Sequence, residues 1–116
     1  WVEYLSAGPK VNEVKKYVES EKEILISAIT VSEVYRWLLY HEDKTIAQKA
    51  SKFMISRSHV IPIDTNIAWV SAQLKHEHKW GLGDALVYAT AQIKKVKLLT
   101  GDADFKNAKD VIYLGK

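Results

Sequence analysis

The 116-residue chain contains no cysteine. That absence excludes a disulfide framework, a thiol nucleophile and a thiolate zinc site. Methionine occurs once, proline twice, and asparagine and glutamine three times each, while lysine and glutamate are plentiful. Such a balance leans towards a heat-adapted composition. No window approaches the ~18 apolar residues that a membrane span needs, and nothing at the start resembles a signal peptide. The expectation is a cytoplasmic protein without membrane association. Repeats, linkers and low-complexity tracts are also missing. One domain covering residues 1–116 is therefore expected, long enough to bury a core without covalent staples.

Hydrophobic residues make up 47% of the chain and charged ones 27%, the mixture of an ordinary globular protein. The formal net charge of +3 and pI near 9.0 permit a polyanionic partner without requiring one. Basic residues concentrate in "KHEHK" (Lys75–Lys79) and "KKVK" (Lys94–Lys97). Each reads either as a solvated face or as a phosphate contact. His76 and His78 stand two apart, so on a helix they cannot face one ligand together, and solvated histidines are the simpler reading.

Periodicity supplies the elements. "WVEYL" at the start, apolar and without a preceding start signal, reads as the continuation of an element that begins before it. Val11, Val14, Tyr17 and Val18 fall at helical spacing, and "EILIS" (Glu23–Ser27) is a short β-type run. Val31, Val34, Tyr35, Leu38 and Leu39 then follow the pattern of a core-facing helix. Thr45 to Ser56 forms a further helix. "HVIPI" (His59–Ile63) reads as a strand whose proline suggests an edge, and a helix capped by Asp64 or Thr65 follows. "GLG" punctuates, "DALVYATAQIKK" is helical, "VKLLT" is a strand, "GDADF" turns, and "VIYL" is the last strand. Strands alternating with helices argue for an α/β domain with a largely parallel sheet.

Three acids stand out by position. Asp102 follows the strand "VKLLT", and Glu33 lies early in the helix after "EILIS". Ligands of open α/β sheets gather outside the carboxyl ends of the strands, so both acids are expected at one sheet edge. Asp84 opens the helix of "GLGDALVYATA", whose small apolar residues imply deep burial. A carboxylate there must be hydrogen-bonded, paired or coordinated, because an isolated buried charge is very costly. Each acid also has a structural explanation. Asp84 could be a plain N-cap. "TVSE" fits a capping box with Thr30 as N-cap and Glu33 reaching back. Asp102 could bond its own backbone in a Gly–Asp turn.

The order of "SEV", "DALVYATA" and "LLTGDADF" resembles the PIN-domain ribonucleases, and among them the VapC-type toxins of toxin–antitoxin pairs. The likeness runs along essentially the whole chain. It implies a three-layer α/β/α sandwich around a mainly parallel central sheet, and RNA cleavage dependent on Mg2+ or Mn2+. It also implies that Glu33, Asp84 and Asp102 are the metal-site acids, that Asp104 is an auxiliary acid, and that Thr100 supports the loop through its hydroxyl. Asp104 reads equally as a solvent-facing turn residue. The implied partners are an RNA substrate, a cognate antitoxin and a second copy in a homodimer. Trp37 and Tyr40, off the main apolar stripe, are candidates for an interface.

One departure from the family pattern is plain. A first strand ending in aspartate is expected a few residues before Trp1, and "IDTNIAWV" (Ile63–Val70) imitates that motif only locally. The first strand is therefore expected upstream of the given sequence. A degenerate, catalytically inactive module that binds RNA or protein is the rival reading, and a nuclease of RNA processing is a third.

Overall fold

The computed structural model describes residues 1–115. The chain divides into two compact units, Trp1–Pro62 and from Ile63 onward.

The first unit opens with the short helix α1 (Val2–Leu5) and α2 (Val11–Val18), followed by β1 (Leu25–Ser27), α3 (Ala28–His41), α4 (Lys44–Arg57) and β2 (His59–Ile61). β1 and β2 pair in parallel, with Leu25 opposite His59 and Ser27 opposite Ile61. The two helices between them form the crossover that a parallel pair requires. β2 ends at Ile61, one residue before Pro62, whose missing N–H cannot extend a ladder. Val34 and Leu38 of α3 are buried with Ile26, Ala47 and Met54, and Val31, Tyr35 and Trp37 pack around them. The inward face of α3 is thus the 31–34–35–38 stripe expected, widened by Trp37. Leu39, expected on the same stripe, lies at its margin and is 43% exposed.

The start of α3 also differs from the capping box read in "TVSE". Ser27 is the N-cap, its hydroxyl accepting from Ile29 N–H at 3.2 Å. Thr30 and Glu33 therefore sit inside the helix. The strand passes into the helix without an intervening loop, so one serine ends the first element and caps the second.

Arg57 closes this unit. Its Nε donates to Val18 O at 2.6 Å, and one terminal nitrogen donates to Ser20 O at 2.8 Å and Lys22 O at 2.9 Å. These carbonyls lie at and beyond the end of α2, where helical carbonyls lose their partners. Arg57→Ala should lower unfolding stability by about 2–3 kcal/mol, the scale for hydrogen bonds to a charged group. Arg57→Lys should recover little, since an ammonium cannot reproduce the planar fork. Chemical denaturation of the three proteins measures it, and equal midpoints would refute the clamp.

The second unit runs through α5 (Thr65–His78), α6 (Leu82–Ile93), β3 (Leu98–Thr100), the 3-10 turn η1 (Ala103–Phe105) and β4 (Val111–Tyr113). Asp64 caps α5, its carboxylate accepting from Ile67 N–H at 2.9 Å. α5 packs against α6, and Ala85 and Ala89 of α6 are completely buried. β3 and β4 pair in parallel, Leu98 opposite Val111 and Thr100 opposite Tyr113. Each strand pair described is parallel, as the sequence led one to expect. Among the described residues no helix is long and apolar enough to cross a membrane.

Candidate functional site

Asp84 lies in the first turn of α6, two residues after its first helical position. Gly81 is the N-cap, and no side chain caps this end. Asp84 is therefore not the helix cap that a plain reading of "GLGD" allows. Its carboxylate sits near the positive end of the helix dipole, which favours the ionised form. Its pKa is nevertheless pushed up from 3.8 to about 6. Burial is the largest cause, followed by the charges of Asp102 and Asp104 and hydrogen bonds shared with them. Desolvation and two like charges outweigh the dipole.

Asp102 and Asp104 reach the same place from the end of β3. Thr100 closes the strand, and its hydroxyl accepts from Asp102 N–H at 3.0 Å. Asp102 then caps η1, its carboxylate accepting from Asp104 N–H at 2.9 Å. The chain turns tightly enough that both side chains come forward together. Asp84, Asp102 and Asp104 can each offer an oxygen, and these atoms all lie within 4.8 Å of one another. Carboxylates so gathered repel unless a proton or a cation sits among them.

An aromatic cluster supports this turn. Phe105, 2% exposed, follows Asp104 directly. Its ring meets Trp80 edge-on at 4.8 Å and stacks on Tyr88 at 5.8 Å, while Trp80 and Tyr88 lie 5.1 Å apart. Trp80 precedes the α6 N-terminus and Tyr88 lies one turn beyond Asp84, so the trio joins both segments that carry the acids. Lys75 Nζ donates to Trp80 O at 3.2 Å, tying the end of α5 to the same loop. Sequence reasoning passed over these aromatics. The available signal was their spacing, with one just before "GLGD", one four residues after Asp84 and one right after "GDAD".

Glu33 belongs to the first unit. It lies on the second turn of α3, exposed, and it makes an interaction of its own. His76 and His78 are exposed, and His78 stacks on Trp80 at 4.2 Å. Tyr40 is 87% exposed, while Trp37 packs against the core and stacks on His41 at 4.0 Å.

Three hard oxygen donors without histidine or cysteine suit Mg2+ or Mn2+ better than zinc. The cluster at one end of a sheet pair and one helix can hold such an ion, and can exchange it for a proton when the ion is absent.

The chain resembles, at 30% identity, a chain of a toxin–antitoxin complex from Klebsiella pneumoniae, covering 94% of this chain and 88% of that one with a TM-score of 0.76. It also resembles a chain of VapBC2 from Rickettsia felis, solved bound to a DNA fragment from their promoter. There the identity is 20%, the coverage 98% and 91%, and the TM-score 0.75. No curated protein matches. The sequence profile of the PIN domain matches residues 1–111. The resemblance read from "DALVYATA" and "TGDADF" is borne out, together with the α/β fold class it implied: the chain belongs to the PIN domain family.

Proposed function

We propose that the protein is an endoribonuclease dependent on Mg2+ or Mn2+, the toxin of a toxin–antitoxin pair. The observation that carries this reading is the convergence of Asp84, Asp102 and Asp104 oxygens within 4.8 Å. Family membership supports it, since PIN domains are typically nucleases. Likeness to chains of toxin–antitoxin complexes supports an antitoxin partner. The two units, matched by one profile, act as a single PIN-like domain.

In this reading a bound divalent ion supplies Lewis acidity for the attacking water, the phosphorus and the leaving oxygen. Asp84 and Asp102 would hold the ion, and Asp104 would offer a further oxygen. Thr100 fixes the loop by accepting the Asp102 N–H. By the family resemblance alone, Glu33 would be the further acid that binds the ion or orients the attacking water. A homodimer and a cytoplasmic location belong to the same reading. The exposed Leu39 and Tyr40 of α3 offer apolar surface of the kind such contacts use.

The test is cleavage by the purified protein. Single-stranded RNA should be cut with Mn2+ or Mg2+, spared in chelator, and cut in preference to DNA of the same sequence. A folded protein that leaves RNA whole at every divalent concentration would favour the inactive binding module instead.

A further inference from the structure

The second basic segment, Lys94–Lys97, lies at the end of α6 away from Asp84. From Asp84 to Lys95 the helix advances about 17 Å at 1.5 Å per residue. The chain leaves α6 there through a double cap, with Lys95 N–H donating to Gln92 O at 3.1 Å and Val96 N–H to Ala91 O at 3.0 Å. That cap normally seats a glycine in the left-handed conformation. Here a lysine holds it, with Lys95 at φ 56°. Asp110, just before β4, is left-handed as well, at φ 59°.

Both residues line one cavity of about 430 Å³, whose polar lining is completed by Tyr88, Gln92, Lys97 and Lys109. All six belong to the second unit. The Tyr88 hydroxyl donates to Lys109 O at 2.6 Å, so the segment before β4 is pinned to the middle of α6, and the two walls of the lining are tied together. Non-glycine residues kept at positive φ cost conformational energy, and they gather where function uses the side chain. Two of them face one opening.

The lining chemistry is specific. Lysines outnumber the carboxylate three to one, which suits a phosphate. The helix C-terminus would disfavour an anion, but the Gln92 and Ala91 carbonyls are occupied by the cap and all three lysines are exposed. The Asp110 carboxylate and Gln92 amide offer acceptors for sugar hydroxyls or base amino groups. The volume falls in the range of small-molecule sites, enough for one nucleotide. We propose that the cavity between the end of α6 and the start of β4 binds one phosphate-bearing nucleotide unit of an RNA strand and anchors the strand away from the acidic cluster. The proposal rests on the ribonuclease reading for the identity of the strand. A free nucleoside monophosphate carries the same chemistry.

Binding is read in chelator, so cleavage plays no part. Fluorescence anisotropy with labelled single-stranded RNA compares the wild type with Lys95→Ala/Lys97→Ala/Lys109→Ala across a salt series. The control, Lys15→Ala/Lys49→Ala/Lys52→Ala, removes equal charge from exposed positions of the first unit. The cavity variant should bind about tenfold more weakly or worse, with the log–log salt slope flatter by about 0.7 for each phosphate that the lysines no longer neutralise. The control should bind like the wild type. Equal weakening in both, or none in the cavity variant, overturns the proposal. Lys95→Gly should melt at higher temperature yet bind less well, and unchanged binding there would also count against it.

Titration with adenosine 5′-monophosphate, followed by NMR, separates the two sources. Saturable shifts confined to the lining mean a lone nucleotide fills the cavity, whereas strand binding alone means the polymer is what it holds, and either outcome supports the site. A protein that binds RNA through these lysines and never cuts it sinks the nuclease reading only. A protein that cuts RNA while all variants bind alike sinks the anchor only.

Discussion

Asp84→Asn should abolish the proposed divalent-dependent RNA cleavage, by about 10²–10³-fold or more on the scale of losing a preorganised electrostatic group, without weakening the metal-free fold at neutral pH. The second half follows from the direction of the pKa. The folded state holds a proton on Asp84 up to about pH 6 because burial, Asp102 and Asp104 all disfavour its charge. A group raised on folding contributes stability that is complete below its unfolded value of 3.8 and lost as pH climbs through about 6. The metal-free wild type should therefore lose melting temperature across that window, and Mn2+ at neutral pH should restore it. Asparagine, of equal size and always neutral, should show neither the fall nor the response to Mn2+. Thermal melts across pH with and without Mn2+ decide it. An asparagine variant less stable than the metal-free wild type at neutral pH would mean that the ionised carboxylate stabilises the start of α6 there, and would refute this account.

The order of elements was legible because the apolar positions of α2, α3 and α6 repeat at helical spacing and the strands are short β-branched or leucine-rich runs between turn signals. Positions within elements were less so. "TVSE" satisfies the capping pattern, yet the helix starts earlier at Ser27, because sequence cannot tell where a strand stops when no loop follows it. Asp84 and Asp102 could be picked out by an energetic argument and a topological one. Asp104 was reached only through the family resemblance, since its place beside them depends on the Asp102 carboxylate folding back onto the Asp104 N–H, a turn that many sequences with "GDAD" need not adopt. Lys95 hides for a related reason. Nothing in "KKVK" announces a left-handed residue, and the usual marker, glycine, is absent.

Phe105→Ala is the substitution with the largest expected effect on the fold of the second unit, and it reaches the acids as well. A phenylalanine 2% exposed replaced by alanine costs about 3–5 kcal/mol in forfeited transfer energy and residual cavity. Its contacts with Trp80 and Tyr88 each add about 0.5–1.5 kcal/mol beyond burial. Phe105→Leu keeps much of the volume and should cost roughly half as much. Because Phe105 is the buried end of η1, its removal frees the turn that presents Asp102 and Asp104, whereas Asp84 stays fixed on α6. Denaturant unfolding should order the proteins wild type, leucine, alanine. Mn2+ titration by calorimetry, at a temperature where the alanine variant remains folded, should give the same order of affinity. Full affinity in a destabilised but folded alanine variant would mean that the Thr100 and Asp102 hydrogen bonds hold the turn by themselves and that the aromatic trio serves stability alone.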